Sequence, residues 1–92
     1  MRQLAYSRRF LKQLEKLSTQ DQESVEKAFR AFWGGLQKGV FPRGLGLKKM
    51  GADKYEIRVD LKTRIGIKQN GDTFIADLVG NHEDIRNFLK NY

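Results

Sequence analysis

Apolar side chains follow a helical period in the first half of this chain and a period of two in the second. Phe10, Leu14 and Leu17 stand at helical spacing, which predicts a helix over roughly Arg8–Lys16. Ser7, just before it, is a residue type whose hydroxyl accepts from the free N–H groups of a first helical turn. A second helix opens with Thr19 as N-cap and Gln22 three residues on, a capping box, with Asp21 and Glu23 in the turn where the helix dipole favours acids. Val25, Ala28, Phe29, Phe32, Trp33 and Leu36 then form one apolar stripe. Gly34 and Gly35 weaken the end of this helix and Gly39 stops it. The Gly and Pro content of residues 39–46 reads as a loop.

Strand signals take over after that loop. Gln3–Tyr6 is a short strand candidate at the start of the chain, and Leu47–Met50 is another. Tyr55, Ile57 and Val59 alternate with Glu56, Arg58 and Asp60, as in a half-buried strand, and Ile65 and Ile67 alternate with Arg64, Gly66 and Lys68. Asn70-Gly71 is a hairpin turn signal, Thr73–Val79 is the last strand, and Asn81 with Asp84 caps a final helix. Ile85, Phe88, Leu89 and Tyr92 share one face of that helix. The order is β-α-α-β-β-β-β-α. Short turns between consecutive strands imply an antiparallel sheet, and the two early helices must pack on one face of it. The fold class expected is α+β, in two layers, as a single domain over residues 1–92.

Composition narrows the chemistry. Cysteine is absent and there is one histidine, which excludes a disulfide framework, a thiolate zinc site and a Cys nucleophile. A small fold without disulfides fits a reducing compartment. The first residues lack the apolar core of a signal peptide, and no segment reaches a membrane-spanning length, so a cytoplasmic protein with no membrane contact is expected. The net charge is +7, and all of it lies in residues 1–50. From Lys27 to Met50 there are six basic residues and no acid. Such a run favours a polyanionic partner: nucleic acid, an anionic membrane or an acidic protein.

Residues 44–49 lack the ending of a phosphate-binding Walker loop, and no G-x-S-x-G elbow occurs. The close acids Asp53 with Glu56 and Glu83 with Asp84 read as loop or cap residues. Basic residues on the polar face of the sheet remain. If Ile57, Ile65 and Ile67 face the helices, Arg58 and Arg64 point away from them and can converge with Lys48 or Lys49 into an anion site. The competing reading pairs Arg58 with Glu56 or Asp60 in a surface ion pair. His82, at the start of the last helix, is placed for proton transfer or is a solvated or capping residue. Phe29, Phe32 and Trp33 read as core rather than as a base-stacking platform, and Tyr92 as packing.

These segments together resemble the RelE/ParE superfamily of bacterial toxins. Tyr6-Ser7-Arg8-Arg9-Phe10-Leu11-Lys12-Gln13-Leu14 is similar to the family's opening S-x-x-F-x-K-x-L segment. Leu47-Lys48-Lys49-Met50-Gly51, followed by Tyr55-Glu56-Ile57-Arg58-Val59-Asp60 and Thr63-Arg64-Ile65, resembles its L-K…G…Y-x-x-R-x-G-x-x-R-x-I core. Val79-Gly80-Asn81-His82-Glu83-Asp84-Ile85 resembles the G-x-H ending of YafQ-like members. The resemblance implies two helices on a curved sheet and a toxin of a type II toxin–antitoxin pair. It further implies a ribosome-dependent mRNA endoribonuclease that needs no metal or other cofactor and uses the RNA 2′-hydroxyl as nucleophile.

On that resemblance Arg58 and Arg64 stabilise the phosphorane and His82 moves a proton. Lys48, Lys49, Arg43 and Lys68 would hold RNA, while Glu56 and Tyr92 are further catalytic candidates. The expected partners are an acidic antitoxin, the ribosome and mRNA. Glu56 stands where many members have Arg, Asp60 stands where Gly is common, and the several histidines of YafQ-like members are missing. The superfamily also contains gyrase-directed inhibitors and inactive homologues, and both remain as alternatives.

Overall fold

The structure, a computed structural model, describes residues 2–90. The Tyr92 expectations therefore lie outside the described residues. The element order is the expected one: β1 (Gln3–Tyr6), α1 (Arg8–Glu15), α2 (Thr19–Lys38), β2 (Lys48–Lys49), β3 (Lys54–Arg58), β4 (Arg64–Asn70), β5 (Thr73–Gly80) and α3 (His82–Lys90). A 3-10 turn at Arg43–Leu45 joins α2 to β2.

Local signals decide most boundaries. Ser7 Oγ accepts from the Phe10 amide at 3.0 Å and starts α1. Ser18, not Thr19, caps α2: it is extended and its Oγ accepts from the Asp21 amide at 3.1 Å. Gln22 donates its amide to the Leu17 carbonyl at 3.1 Å instead of closing a capping box. Gly39 ends α2 at φ +78°, which costs a residue without Cβ little. Asn81 Oδ1 and Asp84 Oδ2 bond each other's amides at 2.9 and 2.8 Å, a reciprocal cap on α3. In the β4–β5 hairpin Asn70 pairs with Thr73, so the two-residue turn is Gly71-Asp72, one step beyond the Asn70-Gly71 expected.

The sheet order is β1-β5-β4-β3-β2. Strands β2 to β5 form the antiparallel meander, but β1 runs parallel to β5, with Gln3 opposite Thr73 and Tyr6 opposite Ala76. The sheet is therefore mixed, where the turn signals predicted antiparallel pairing throughout. The cause is non-local: the α1–α2 hairpin returns the chain across one face, and β1 lies beside a strand about 70 residues later.

Helices α1 and α2 bury Phe10, Val25, Phe29 and Phe32 against Ile57, Ile65, Ile67 and Phe74. Each such side chain contributes about 1.5–3 kcal/mol when removed from water. Trp33 stands half-buried at the rim of this core rather than within it. The opposite face is not open along its whole length. Helix α3 packs Ile85 and Phe88 on Leu78, and Gly66 makes room for it: a Cβ there would lie 2.8 Å from the Phe88 ring. The two-layer expectation is thus corrected to a partial third layer, because the apolar face of α3 needs a surface to cover.

Two polar devices hold these layers. Beyond Ala76, β5 has no strand beside it on the β1 side, and α1 supplies side chains instead. Ser7 Oγ and Arg9 Nε donate to the Asp77 carbonyl at 2.9 and 3.2 Å, and Gln13 Oε1 accepts from the Val79 amide at 2.9 Å. Asp77 is the extra residue where the β4–β5 register shifts, and its carboxylate pairs with Arg9 at 2.7 Å and Lys68 at 3.4 Å. At the other side of α3, Lys54 is 2% exposed and donates to the Phe88 carbonyl at 2.8 Å. It thereby satisfies a carbonyl of the last helical turn, where the helix dipole favours a cation.

Candidate functional site

The uncovered part of the α3-side face lies where β3 turns into β4. Asp60 builds that turn: its carboxylate accepts from the Lys62 and Thr63 amides at 2.8 and 2.7 Å. Those amide bonds hold its carboxyl below the usual carboxylate range. Asp60 is thereby committed to the backbone and does not pair with Arg58.

The turn sets the register that puts Arg58 directly opposite Arg64. Side chains so placed have Cβ atoms about 5 Å apart, and like charges there repel. The two guanidiniums are held differently. Arg64 donates from Nη1 to Glu56 Oε2 at 3.2 Å, and the Glu56 side chain is 4% exposed. The Nε of Arg64 is buried without a hydrogen-bond partner. Arg58 is exposed and its side chain makes no ion pair or hydrogen bond among the described residues. It lies against Gly46, where a Cβ would stand 3.3 Å from the Arg58 Cβ and 3.6 Å from Cζ. Gly46 at φ +60° both ends the 3-10 turn and leaves that side of Arg58 unobstructed.

The alternation thus exposes one arginine and fixes the other, while the carboxylate expected on an open surface is buried beneath them. Glu56 pairs with Arg64, not with Arg58, because the diagonal across β3–β4 brings it to the Arg64 side. A buried ion pair of this kind restrains a guanidinium's direction, and breaking one partner costs about 3–5 kcal/mol.

The remaining expected site residues divide by register. Lys48 is opposite Glu56 and shares its face, whereas Lys49 is opposite Tyr55 and points to the helix side. Consecutive residues of a strand alternate, so only Lys48 joins Arg58 and Arg64. Arg43 is exposed on the 3-10 turn. Lys68 lies four residues along β4 from Arg64, about 13 Å away. It is tied to Asp77 and stands over the Phe88 ring, so α3 separates it from the arginines. His82 is exposed at the first turn of α3, two residues past Gly80, which pairs with Arg64. A Cβ on Gly80 would collide with Asp84, so this glycine lets the α3 cap close over the strand end. Sequence reasoning missed Arg9, Gln13 and Lys54; alternation puts Lys54 on the polar face with Glu56 and Arg58, and only the packing of α3 buries it.

The arrangement can bind and polarise an oxyanion. Arg64, held by Glu56, the free guanidinium of Arg58 and Lys48 supply donors at one place, and the repulsion between Arg58 and Arg64 is relieved when an anion bridges them.

No protein family and no curated protein matches the chain by sequence. Solved structures match it by shape. The RelE toxin in a RelB–RelE antitoxin–toxin complex from Methanococcus jannaschii superposes at TM-score 0.65 with 22% identity, over 91% of this chain and 96% of that one. YafQ in an E. coli DinJ–YafQ toxin–antitoxin complex does so at TM-score 0.66 with 12% identity, over 91% and 96%. A YoeB/ParE toxin from Agrobacterium tumefaciens does so at TM-score 0.60 with 14% identity, over 87% and 98%. The chain has the RelE-type α+β fold of these toxins.

Proposed function

We propose that this chain is the toxin of a type II toxin–antitoxin pair and acts as an mRNA endoribonuclease on the ribosome. The carrying observation is the Arg58–Arg64 juxtaposition on a fold shared with RelE and YafQ toxins. The RNA 2′-oxygen attacks the adjacent phosphorus, the P–O5′ bond breaks, and the 2′-hydroxyl proton leaves to a base while the 5′-oxygen gains one. Arg58 and Arg64 neutralise the added phosphorane charge and Lys48 holds the backbone. His82 carries a proton, and Glu56 orients Arg64. The basic run from Lys27 to Lys49, with Arg43 inside it, docks on ribosomal RNA. An acidic antitoxin would neutralise the protein in the cytoplasm; the RelE and YafQ neighbours are themselves solved in antitoxin complexes. No helix among the described residues is long and apolar enough to cross a membrane.

The test is induced expression in a bacterial host with primer extension on abundant mRNAs. Growth arrest with new 5′ ends inside reading frames, absent for Arg58→Ala, is the expected result. A gyrase-directed inhibitor is the second reading. One observation favours it: Glu56 neutralises Arg64 and leaves Arg58 alone unpaired. Growth arrest with intact mRNA and induced DNA-damage signalling would select that reading, and absence of arrest would select an inactive homologue.

A further inference from the structure

The two edges of the sheet differ in kind. At one edge β2 is two residues long and both are lysines, which blunts it against pairing with another strand. At the other edge β1, Gln3-Leu4-Ala5-Tyr6, carries no charge, proline or bulge. The Gln3 and Ser7 amides donate to the Asp72 and Ala76 carbonyls at 2.9 Å, so these residues turn toward β5. Alternation then turns the N–H and C=O groups of Leu4 and Tyr6 outward, where no strand of the described residues lies. Arg2, just before the strand, is folded back onto α2, its Nη1 donating to the Leu36 carbonyl at 2.7 Å. An apolar groove runs beside this free edge. A hollow of about 170 Å³ between α1 and α2 and one of about 340 Å³ between β1 and α2 share Tyr6, Glu26 and Phe29. Leu11 lines one end, and Leu4 and Trp33 line the other. Tyr6 is 52% exposed, yet its ring is held against Phe10 and Phe29 with centroids 5.6 and 5.4 Å away. On the rim Glu26 and Arg30 stand about one turn apart on α2. Both are exposed, and neither makes an ion pair among the described residues.

We infer that this edge and groove form the contact surface of a symmetric dimer with a second copy of this chain, the two β1 strands pairing antiparallel about a two-fold axis at Ala5. In that register Leu4 of each copy lies opposite Tyr6 of the other, and each such pair exchanges two N–H···O bonds. Only outward-turned backbone groups are used, so the β1–β5 ladder stays intact. The axis sets the two α2 helices on the same face of the joined sheet with opposite directions, and Glu26 of each copy meets Arg30 of the other. The rim charges are complementary to themselves, which selects a second copy over a partner of one sign. Leu4, Tyr6 and Trp33 supply the apolar centre, with the aromatic rings that anchor interfaces. Pairing closes the unprotected edge and leaves the lysines of β2 outermost, so assembly stops at two copies. Arg58 and Arg64 lie on β3 and β4, on the far side of β5 from the contact, and the dimer leaves their site uncovered whatever its reaction.

Sedimentation at physiological salt, from about 5 to about 500 µM protein, covers the affinities expected of an interface at the small end of the size scale. The expected result is a reversible rise to twice the monomer mass. Amide hydrogen exchange at Leu4 and Tyr6 should slow as concentration rises, while Ala5, already turned to β5, and Lys48 and Lys49 at the other edge stay unchanged. Arg30→Glu and Glu26→Arg should each weaken the dimer about tenfold or more by setting like charges opposite. The two single variants mixed in equal amounts should pair with each other. The double variant, Glu26→Arg with Arg30→Glu, should regain association to within about threefold of the original. Both positions are exposed on α2, so neither change is expected to unfold the chain, and melting curves check this. A monomer at every concentration, a dimer indifferent to charge reversal, failure of the exchanged charges to restore pairing, or protection centred outside β1 would each overturn the inference. So would a monomer whose Leu4 and Tyr6 amides are protected only by an added extended Thr-Val peptide, which would assign the edge to a foreign strand. Mass and exchange are read without RNA, so either outcome leaves the cleavage reading untouched.

Discussion

Arg58 and Arg64 face each other across the β3–β4 hairpin, yet only Arg64 has a carboxylate, Glu56, at 3.2 Å. Their repulsion is thus only partly compensated in the free protein, and a bound anion completes the compensation. The asymmetry separates catalytic from structural effects at two neighbouring positions.

Arg58→Ala removes a donor to the developing charge without exposing a buried partner. RNA cleavage should fall about 10²–10³-fold, the loss expected for one oxyanion donor. Thermal stability should hold or rise slightly, because a like-charge neighbour is gone. Primer extension and a melting curve on the same preparation test this, and a large fall in melting temperature would assign Arg58 to the fold instead.

Arg64→Ala should behave differently. It leaves the Glu56 carboxylate buried and unpaired, a destabilisation of about 3 kcal/mol or more. Glu56→Ala with Arg64→Ala should cost less than the sum of the two single changes. A double-mutant cycle by urea unfolding measures the coupling, which should exceed about 1 kcal/mol. Additive effects would mean that the ion pair carries no net interaction.

Ser7 both caps α1 and donates to the Asp77 carbonyl. Ser7→Ala should therefore cost about 1–2 kcal/mol, toward the upper end of the range for an N-cap alone. Gln13→Ala, which frees the Val79 amide, should destabilise the same β5 segment. Hydrogen exchange should quicken at Asp77–Val79 in both variants before it does in β3. Uniform loosening across the sheet would contradict a local tether.

Lys54 gives a pH signature. Burial chiefly pushes its ammonium below the ordinary value of 10.5, and the Lys68 charge acts the same way, while Asp53 and Asp77 oppose both. Its folded pKa lies below the unfolded one, so between the two the unfolded state holds more protons. Stability from this group then rises with pH through that window and is flat below it. Relative to Lys54→Met, the wild-type urea midpoint should gain on going from neutrality to about pH 10. A gap that stays constant or shrinks would contradict the burial argument.

Element order, the caps at Ser7, Gly39 and Asn81, and the core faces of α1, α2, β3 and β4 were legible in the chain because each rests on a short-range rule, whereas the cap of α2 fell on Ser18, one residue before the Thr19 expected. Ser7 precedes an amphipathic run, Gly39 follows one, and Ile57, Ile65 and Ile67 alternate with polar residues. The pair Arg58 and Arg64 was legible for the same reason, since two alternating strands joined by a short turn bring their polar faces to one side. The parallel partner of β1, the seat of α3 on Gly66, the burial of Lys54 and the choice of Arg64 over Arg58 by Glu56 were not. Each joins segments through a contact that periodicity does not encode. Helix α3 could be recognised as amphipathic from its own residues, but which surface it covers, and so which basic residues stay exposed, depends on the volume left by Gly66 and the length of the sheet. The sequence by itself determined the elements and the sign of the charge on their polar faces. Tertiary packing decided which of those charges is paired, which is buried and which stands free to meet an anion, because desolvation and pairing depend on neighbours that only the folded chain brings together.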